Sequence, residues 1–343
     1  ATAPPQRTVT AVTASSERVK LAGGISVSPI GVGAWSWGDR LFWGYDDSQE
    51  AGAKEAFSTA VDLGVNFFDT AEVYGASADP STWGYSEVLC GRFAREYEGP
   101  SQDEVLVATK FAPLPHRIFD SRKSVSRALR ASLERLGTDR VDLYQLHWPG
   151  FFADAAFWDG LADAYEAGLV RAVGVSNYSE KRLRAVHKAL AERGVPLATN
   201  QVQYSLLHRN PEQALVQACR ELDVKILAYS PLAQGILTGR YSASHLPTGP
   251  RASIFKDRVN EITPLLTALE AIGKANGDKT PAQVSLNWLM CKGVIPIPGA
   301  RTAQQARENC GAMGWKLSAE QEAELDVLSL SFSQFPGMPL ETA

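Results

Sequence analysis

The sequence predicts an α/β protein, a closed (β/α)8 barrel with an N-terminal β-hairpin. Three observations carry this. Short runs rich in Val, Ile, Leu and Phe, apolar on both faces, recur from residue 30 onward, as buried parallel strands require. Segments with helical periodicity fill the gaps between them, and no long linker divides the alternation. An open doubly wound sheet competes with this arrangement, but it needs a topological switch point, and nothing in the pattern marks one.

Taken in order, VKLAGGISVS (19–28) places two alternating stretches around Gly23-Gly24, a hairpin signal. Eight strand candidates follow: IGVGAW (30–35), NFFDT (66–70), VLVATK (105–110), VDLYQLHW (141–148), AVGVS (172–176), ATNQVQ (198–203), KILAYS (225–230) and VIPIPG (294–299). Helices are expected over 48–64, 84–97, 122–136, 157–168, 179–193, 211–222, 263–276 and 302–311. Val125, Leu129, Leu133 and Leu136 share one face, as do Leu215, Ala218, Cys219 and Leu222, and Pro211 and Pro281 suit first helical turns. The stretch 231–262, rich in Gly, Pro and basic residues, is long enough to be a functional loop after the seventh strand. Residues 317–343 add one helix, with Leu325 and Leu328 on one face, and a Pro-containing tail.

The chain has 343 residues and a net charge of −4, from 34 Lys+Arg and 38 Asp+Glu. It can bury a full core in one barrel domain over 18–343. It shows no basic stripe for nucleic acid or an anionic membrane, and no apolar run of the ~18 residues a membrane helix needs. Oligomeric state is silent in the sequence. Four cysteines without metal-ligand spacing point to a reducing compartment. Residues 1–17 are expected to be disordered: the first sixteen hold six Ser/Thr and four Ala with no acidic residue, a composition like the tail of an organellar transit peptide. An ordinary disordered terminus is the competing explanation.

Several motifs fail. Gly31-Val32-Gly33 would need a third glycine at position 36, which is Ser36, so no Rossmann phosphate turn is encoded. Gly174-Val175-Ser176-Asn177-Tyr178 lacks the closing glycine of a nucleophile elbow, and no P-loop or HExxH occurs. No metal site is expected.

What remains is a set of side chains at barrel strand ends, where functional groups converge. Asp69 ends the second strand, Tyr74 follows five residues on, Lys110 ends the third and His147 the fourth. An ammonium beside a phenol lowers its pKa, and a buried carboxylate keeps that ammonium charged. An imidazole can then hold a carbonyl oxygen in line with the phenol. Such a set can protonate a carbonyl oxygen as hydride reaches carbon. Trp35, Trp37, Trp43, Tyr45, Trp148, Phe151 and Phe152 cluster after the first and fourth strands, and Trp35 and Trp148 are candidate walls of an apolar substrate pocket.

FDTAEVYG, VATKF, DLYQLHWP, VGVSNYS, NQVQYSLL, AYSPLAQGILTGRY and IPIPGA together resemble the aldo-keto reductase superfamily, in the right strand order from about Val19 to Leu330. The details WSWGD and LYQLHWPG look most like plant and algal plastid members. The resemblance implies NADPH-dependent reduction of a small-molecule carbonyl, aldehyde or ketone, to an alcohol. It implies NADPH bound in extended form across the barrel mouth, with Asp69, Tyr74, Lys110 and His147 as the catalytic tetrad and Tyr74 the proton donor. Gly33, Trp35 and Asp69 would lie against the cofactor. Ser176, Asn177 and Gln201 match residues that bond the nicotinamide carboxamide, and Tyr229 matches the aromatic stacked on its ring. Ser230, Pro231, Leu232, Gln234, Gly235, Leu237 and Gly239, with Arg240 and Arg251, fall where members wrap the pyrophosphate. Gly299, Arg301, Gln305, Glu308 and Asn309 match the adenosine end. Gly299 and Ala300 stand where many members carry a lysine and a serine for the 2′-phosphate, so Arg301 would take that contact.

A pyridoxal reductase fits within this class, and a chloroplast stromal location goes with the plastid likeness; otherwise the cytoplasm is expected. Two other classes compete. Potassium-channel β subunits share the fold as cofactor sensors but usually carry asparagine at the position of His147. A Schiff-base aldolase would use Lys110 but leaves Tyr229 and 299–309 unexplained.

Overall fold

The computed structural model describes residues 12–332 and Gln334, apart from positions 76, 78, 80–81, 151–152, 243, 248–250 and 257. Two short strands, β1 (Val19–Lys20) and β2 (Ser26–Val27), pair antiparallel as the hairpin expected around Gly23-Gly24. Eight parallel strands follow: β3 (Val32–Gly33), β4 (Phe67–Asp69), β5 (Leu106–Phe111), β6 (Val141–Leu146), β7 (Val170–Ser176), β8 (Leu197–Gln203), β9 (Lys225–Tyr229) and β10 (Ile295–Pro296). They neighbour one another in chain order from β3 to β10. The ends of the sheet meet where Gly31 N donates to Pro296 O at 2.9 Å and Gly33 N to Pro298 O at 3.0 Å, with a parallel bridge from Gly33 to Gly299. A Cβ on Gly33 would lie 2.8 Å from Ile297 O, so this seam requires glycine.

The barrel's interior is divided by chemistry. Leu21, Ile25 and Val27 of the hairpin region pack with Phe67, Leu106, Leu143, Ala172, Leu227 and Ile295 of the strands into an apolar plug. Burial of such side chains stabilises by about 1.5–3 kcal/mol each. Polar side chains occupy the opposite, C-terminal ends of the strands, where the site lies.

The outer ring is helical. It comprises α1 (Glu50–Asp62), α2 (Tyr85–Glu96), α3 (Ser121–Leu136), α4 (Asp154–Glu166), α5 (Glu180–Ala191), α6 (Leu215–Glu221), α7 (Arg251–Lys256), α8 (Thr263–Ala275), α9 (Pro281–Cys291), α10 (Ala303–Cys310) and α11 (Ala319–Leu330). The stripe Val125, Leu129, Leu133, Leu136 is buried as periodicity predicts. Helix α9 is the element that periodicity understates. It is buried nearly all round, so no polar face marks it, and its signals are Pro281 and the Thr280–Gln283 capping box.

Three boundaries differ from expectation. Pro211 opens a 3-10 turn (Asn210–Glu212) rather than α6 itself. The 231–262 stretch contains a 3-10 segment (Ala233–Thr238) and α7. Disorder over 1–17 does not extend to its last residues: Ser15 N bonds Leu63 O at 3.1 Å and Val12 packs on the core, while 1–11 lie outside the described residues. Among the described residues, no helix is long and apolar enough to cross a membrane.

Helices α2 and α3 touch closely at Gly91, where an added Cβ would sit 2.0 Å from Leu136 O. Gly91→Ala is expected to destabilise the protein by at least about 1–3 kcal/mol, read as a lower urea midpoint with an unchanged m-value.

Candidate active site

Strand ends deliver the central groups. Lys110 Nζ, on β5, lies 2.5 Å from Asp69 Oδ2 at the end of β4, 2.9 Å from Thr70 O and 3.3 Å from the Tyr74 hydroxyl. The lysine and aspartate side chains are 0% and 2% exposed. Asp69 Oδ1 accepts from Gln201 Nε2 of β8 at 2.8 Å. His147 follows β6, its ring centred 5.4 Å from that of Tyr74, and the Trp35 ring is centred 6.2 Å from that of Tyr74.

The electrostatics differ from the sequence expectation at Tyr74. Burial raises its phenol above the usual value; the Lys110 charge pulls the other way and does not prevail. Lys110 is held above its ordinary value because Asp69 and Tyr74 together outweigh the effect of burial. Burial, then the Lys110 charge, pushes His147 well below the usual imidazole range. His147 is therefore neutral at neutral pH and can donate from one ring nitrogen.

A cleft of about 390 Å³ opens over these groups. Most of the expected cofactor residues line it: Gly33, Trp35 and Asp69; Ser176, Asn177 and Gln201; Tyr229 to Leu232; Gln234, Gly235 and Arg240; and Gly299, Arg301, Gln305, Glu308 and Asn309. Ser176, Asn177 and Gln201 form one knit. Ser176 Oγ and Asn177 N donate to Gln201 O at 2.8 and 2.9 Å, Asn177 Nδ2 donates to His147 O at 3.1 Å, and Tyr229 OH donates to Asn177 Oδ1 at 3.0 Å. After β9 the chain turns through left-handed conformations at Ser230, Ala233, Gln234, Gly235 and Gly239. At the far end Arg301 N donates to Gln305 Oε1 at 2.7 Å and Asn309 Nδ2 to Gly299 O at 3.2 Å.

Some expected residues stand elsewhere. Lys110 lies behind Tyr74, outside the cleft lining. Leu237 is fully buried, because its apolar side chain anchors the turn beneath the loop, and Gly239 ends that turn; neither lines the cleft. Arg240 reaches the cleft but its guanidinium is paired with Glu308. The Arg251 side chain, Phe151 and Phe152 lie outside the described residues. Trp37 and Tyr45 are core residues; Trp37 packs against Phe57, Phe68 and Phe93 and donates to Ala300 O at 2.7 Å.

Sequence reasoning missed Ser36 and Asp39, which also line the cleft. Asp39 Oδ1 accepts from Phe42 N and Trp43 N, at 2.7 and 3.1 Å, and shapes the loop after β3. Ser36 Oγ is buried with no protein partner, and so is His147 Nδ1. Adjacency to Trp35 is the one signal that could have flagged Ser36. An orphaned hydroxyl in the cleft wall, near Gly299 and with Arg301 in the same cleft, suits a ligand rich in hydrogen-bond acceptors such as a dinucleotide. The burial of His147 generates a prediction: its imidazole should show no protonation on going from pH 8 to about 6, read by 15N-edited NMR of the ring nitrogens.

With this geometry in place, likeness to other proteins adds independent support. The Aldo/keto reductase family profile matches residues 29–329. A chloroplastic pyridoxal reductase of Arabidopsis thaliana is 45% identical over 317 residues, covering 90% of this chain and 85% of that protein. An uncharacterized oxidoreductase of Mycobacterium tuberculosis is 39% identical over 315 residues, covering 89% of this chain and 90% of that one. An aldo-keto reductase of Klebsiella pneumoniae, crystallised in complex with NADPH, superposes with a TM-score of 0.73 at 27% identity, covering 95% of this chain and 97% of that one. A barrel with this strand-end constellation and these matches belongs to the aldo/keto reductase family.

Proposed function

We propose that the protein reduces aldehydes, and some ketones, to alcohols with NADPH, Tyr74 being the proton donor. The observation that carries this is the Tyr74 hydroxyl 3.3 Å from a buried, Asp69-paired ammonium, in the same cleft as a neutral His147. When bound, NADPH supplies the hydride that adds to the carbonyl carbon. Tyr74 gives its phenolic proton to the carbonyl oxygen as the C=O π bond breaks. The alcohol leaves, and the tyrosinate, stabilised by Lys110, regains a proton from solvent. His147 donates to the same oxygen and orients it, which a neutral ring can do.

In this reading Ser176, Asn177 and Gln201 hold the nicotinamide carboxamide and Tyr229 stacks on the ring. The left-handed turns after β9, with Ser36 opposite, enclose the diphosphate. Arg301, packed against Trp43 at 6.0 Å, carries the 2′-phosphate and sets the preference for NADPH over NADH. Trp35 and Trp148 give the substrate end flat apolar walls, which suit an aromatic aldehyde. Pyridoxal is such a molecule, and the Arabidopsis relative's name supports it. The same relative's plastid location and the Ser/Thr/Ala-rich residues 1–16 support a chloroplast protein. The hairpin and barrel from residue 18 onward make up one domain in this account.

The first test titrates the purified protein with NADPH and NADH by tryptophan quenching, then follows loss of reduced nicotinamide absorbance on adding aldehydes. Tight NADPH binding with aldehyde-dependent oxidation is expected; binding without turnover across varied aldehydes would overturn the enzyme reading. Tyr74→Phe should keep NADPH affinity while kcat falls at least about a hundredfold. Arg301→Ala should weaken NADPH about tenfold or more with little effect on NADH. Trp148→Ala should reorder relative kcat/KM across an aldehyde panel.

A further inference from the structure

A polar row lies at the level of the Asp69–Lys110 pair and is used by none of the roles above. In the parallel register Lys110 of β5 stands beside Gln145 of β6, Gln145 beside Gly174 of β7, and Gly174 beside Thr199 of β8. The last pairing depends on a register shift: Val173 faces Leu197, but Gly174 faces Thr199. Gln145 and Thr199 are both 0% exposed, and neither lines the cleft.

The two side chains are joined to Asp69. Gln145 Nε2 donates to Asp69 Oδ1 at 3.2 Å, and Thr199 Oγ1 donates to Gln145 Oε1 at 3.2 Å. The orientation of the amide follows from its partners. An ionised carboxylate only accepts, so the NH2 end must face Asp69, and the buried carbonyl end then needs a donor, which the Thr199 hydroxyl supplies. Gly174 makes the space. A Cβ there would fall 2.1 Å from Thr199 Oγ1 and 3.0 Å from Gln145 Cγ. An apolar trio would fill this layer at lower desolvation cost, as the plug below it does, so the polar choice calls for a reason.

Asp69 supplies the reason. Its proton balance with Lys110 has two states, carboxylate with ammonium or carboxylic acid with amine, and burial favours the second. Two amide donors on Oδ1 favour the first. We infer that Gln145, locked by Thr199 across Gly174, is a positioning residue that keeps Asp69 the anionic partner of Lys110 and through that pair governs proton transfer at Tyr74. The inference rests on the reading of Tyr74 as proton donor. Other charged groups around the pair are internally neutralised. Glu72 is held by Arg117, and Glu87 of α2 by Arg135 of α3 and by Thr109. Cys90 of α2 is kept a thiol by burial, burial also keeps Tyr144 of β6 a neutral phenol, and His147 is neutral. Asp39, in the loop after β3, has Oδ1 occupied by two main-chain donors.

The test is the pH dependence of kcat for aldehyde reduction by NADPH in the parent, Q145L, T199V, T199S and Y74F. Losing a donor to Asp69 moves the pair toward its neutral state, so Tyr74 faces an amine and becomes a weaker acid. Q145L should therefore lower kcat about tenfold and move the basic limb up by about one pH unit, with NADPH affinity unchanged. T199V should shift the limb in the same direction by less, and T199S, which keeps the hydroxyl, should restore it. A limb fixed at the parental pH in both Q145L and T199V, whatever happens to kcat, would overturn the positioning role and leave only packing. If Q145L does not fold, the T199V and T199S pair decides by the same criterion. A Y74F enzyme that keeps its turnover would overturn the proton-donor reading itself, so the two failures are told apart.

Discussion

The ion pair between Asp69 and Lys110 is the constraint around which the upper half of the barrel is arranged. Two charges removed from water cost several kcal/mol each unless every remaining lone pair and proton finds a partner. Here the ammonium is met by a carboxylate, a main-chain carbonyl and a phenol, and the carboxylate by the ammonium and two amides. Those partners come from β4, β5, β6 and β8, so four strands must hold a common level for the pair to exist. Asp69 and Tyr74 both touch the ammonium and line the cleft, and of the two Tyr74 carries the proton a substrate could take.

The barrel separates stability from chemistry along its axis. The hairpin closes the bottom, where apolar side chains from hairpin and strands form a cluster distinct from the layer beneath the helices. Above this plug, polar side chains replace apolar ones at the strand ends, and the long segment after β9 and helix α10 form the cleft's outer wall. The cost of burying polar groups at the top is offset by apolar packing elsewhere, since a chain of this size buries a large core.

Much of this was legible in the sequence, and for identifiable reasons. Parallel strands covered on both sides must be apolar on both faces, which made all eight visible. Residues at strand ends converge, which brought Asp69, Tyr74, Lys110 and His147 together before any coordinates. What escaped was decided by three-dimensional competition. Helix α9 lacks a polar face because it is enclosed, so no stripe betrayed it. The direction of the Tyr74 perturbation depends on burial outweighing the lysine's charge, which a list of neighbours does not weigh. The pairing of Arg240 with Glu308 in the cleft wall joins residues 68 apart in the chain, which no local pattern announces. Gln145 reads as a further polar residue in a strand that already holds Asp142 and Tyr144, and its meaning needs the register shift at Gly174.

The seam where the sheet closes has a consequence of its own. Strands β3 and β10 are each two residues long, and the hydrogen bonds that join them are few. They tie Gly31 and Gly33 to Pro296 and Pro298, with Gly33 bridging Gly299 across more than three-quarters of the chain, so the enclosed loop of polypeptide carries a large closure entropy. Gly33 and Gly299 also line the cleft. A molecule lying there rests on the first strand and the last at once, and ties the beginning of the fold to its end. Its binding energy then counts directly toward keeping the ring shut, so occupancy and resistance to unravelling rise together by mass action.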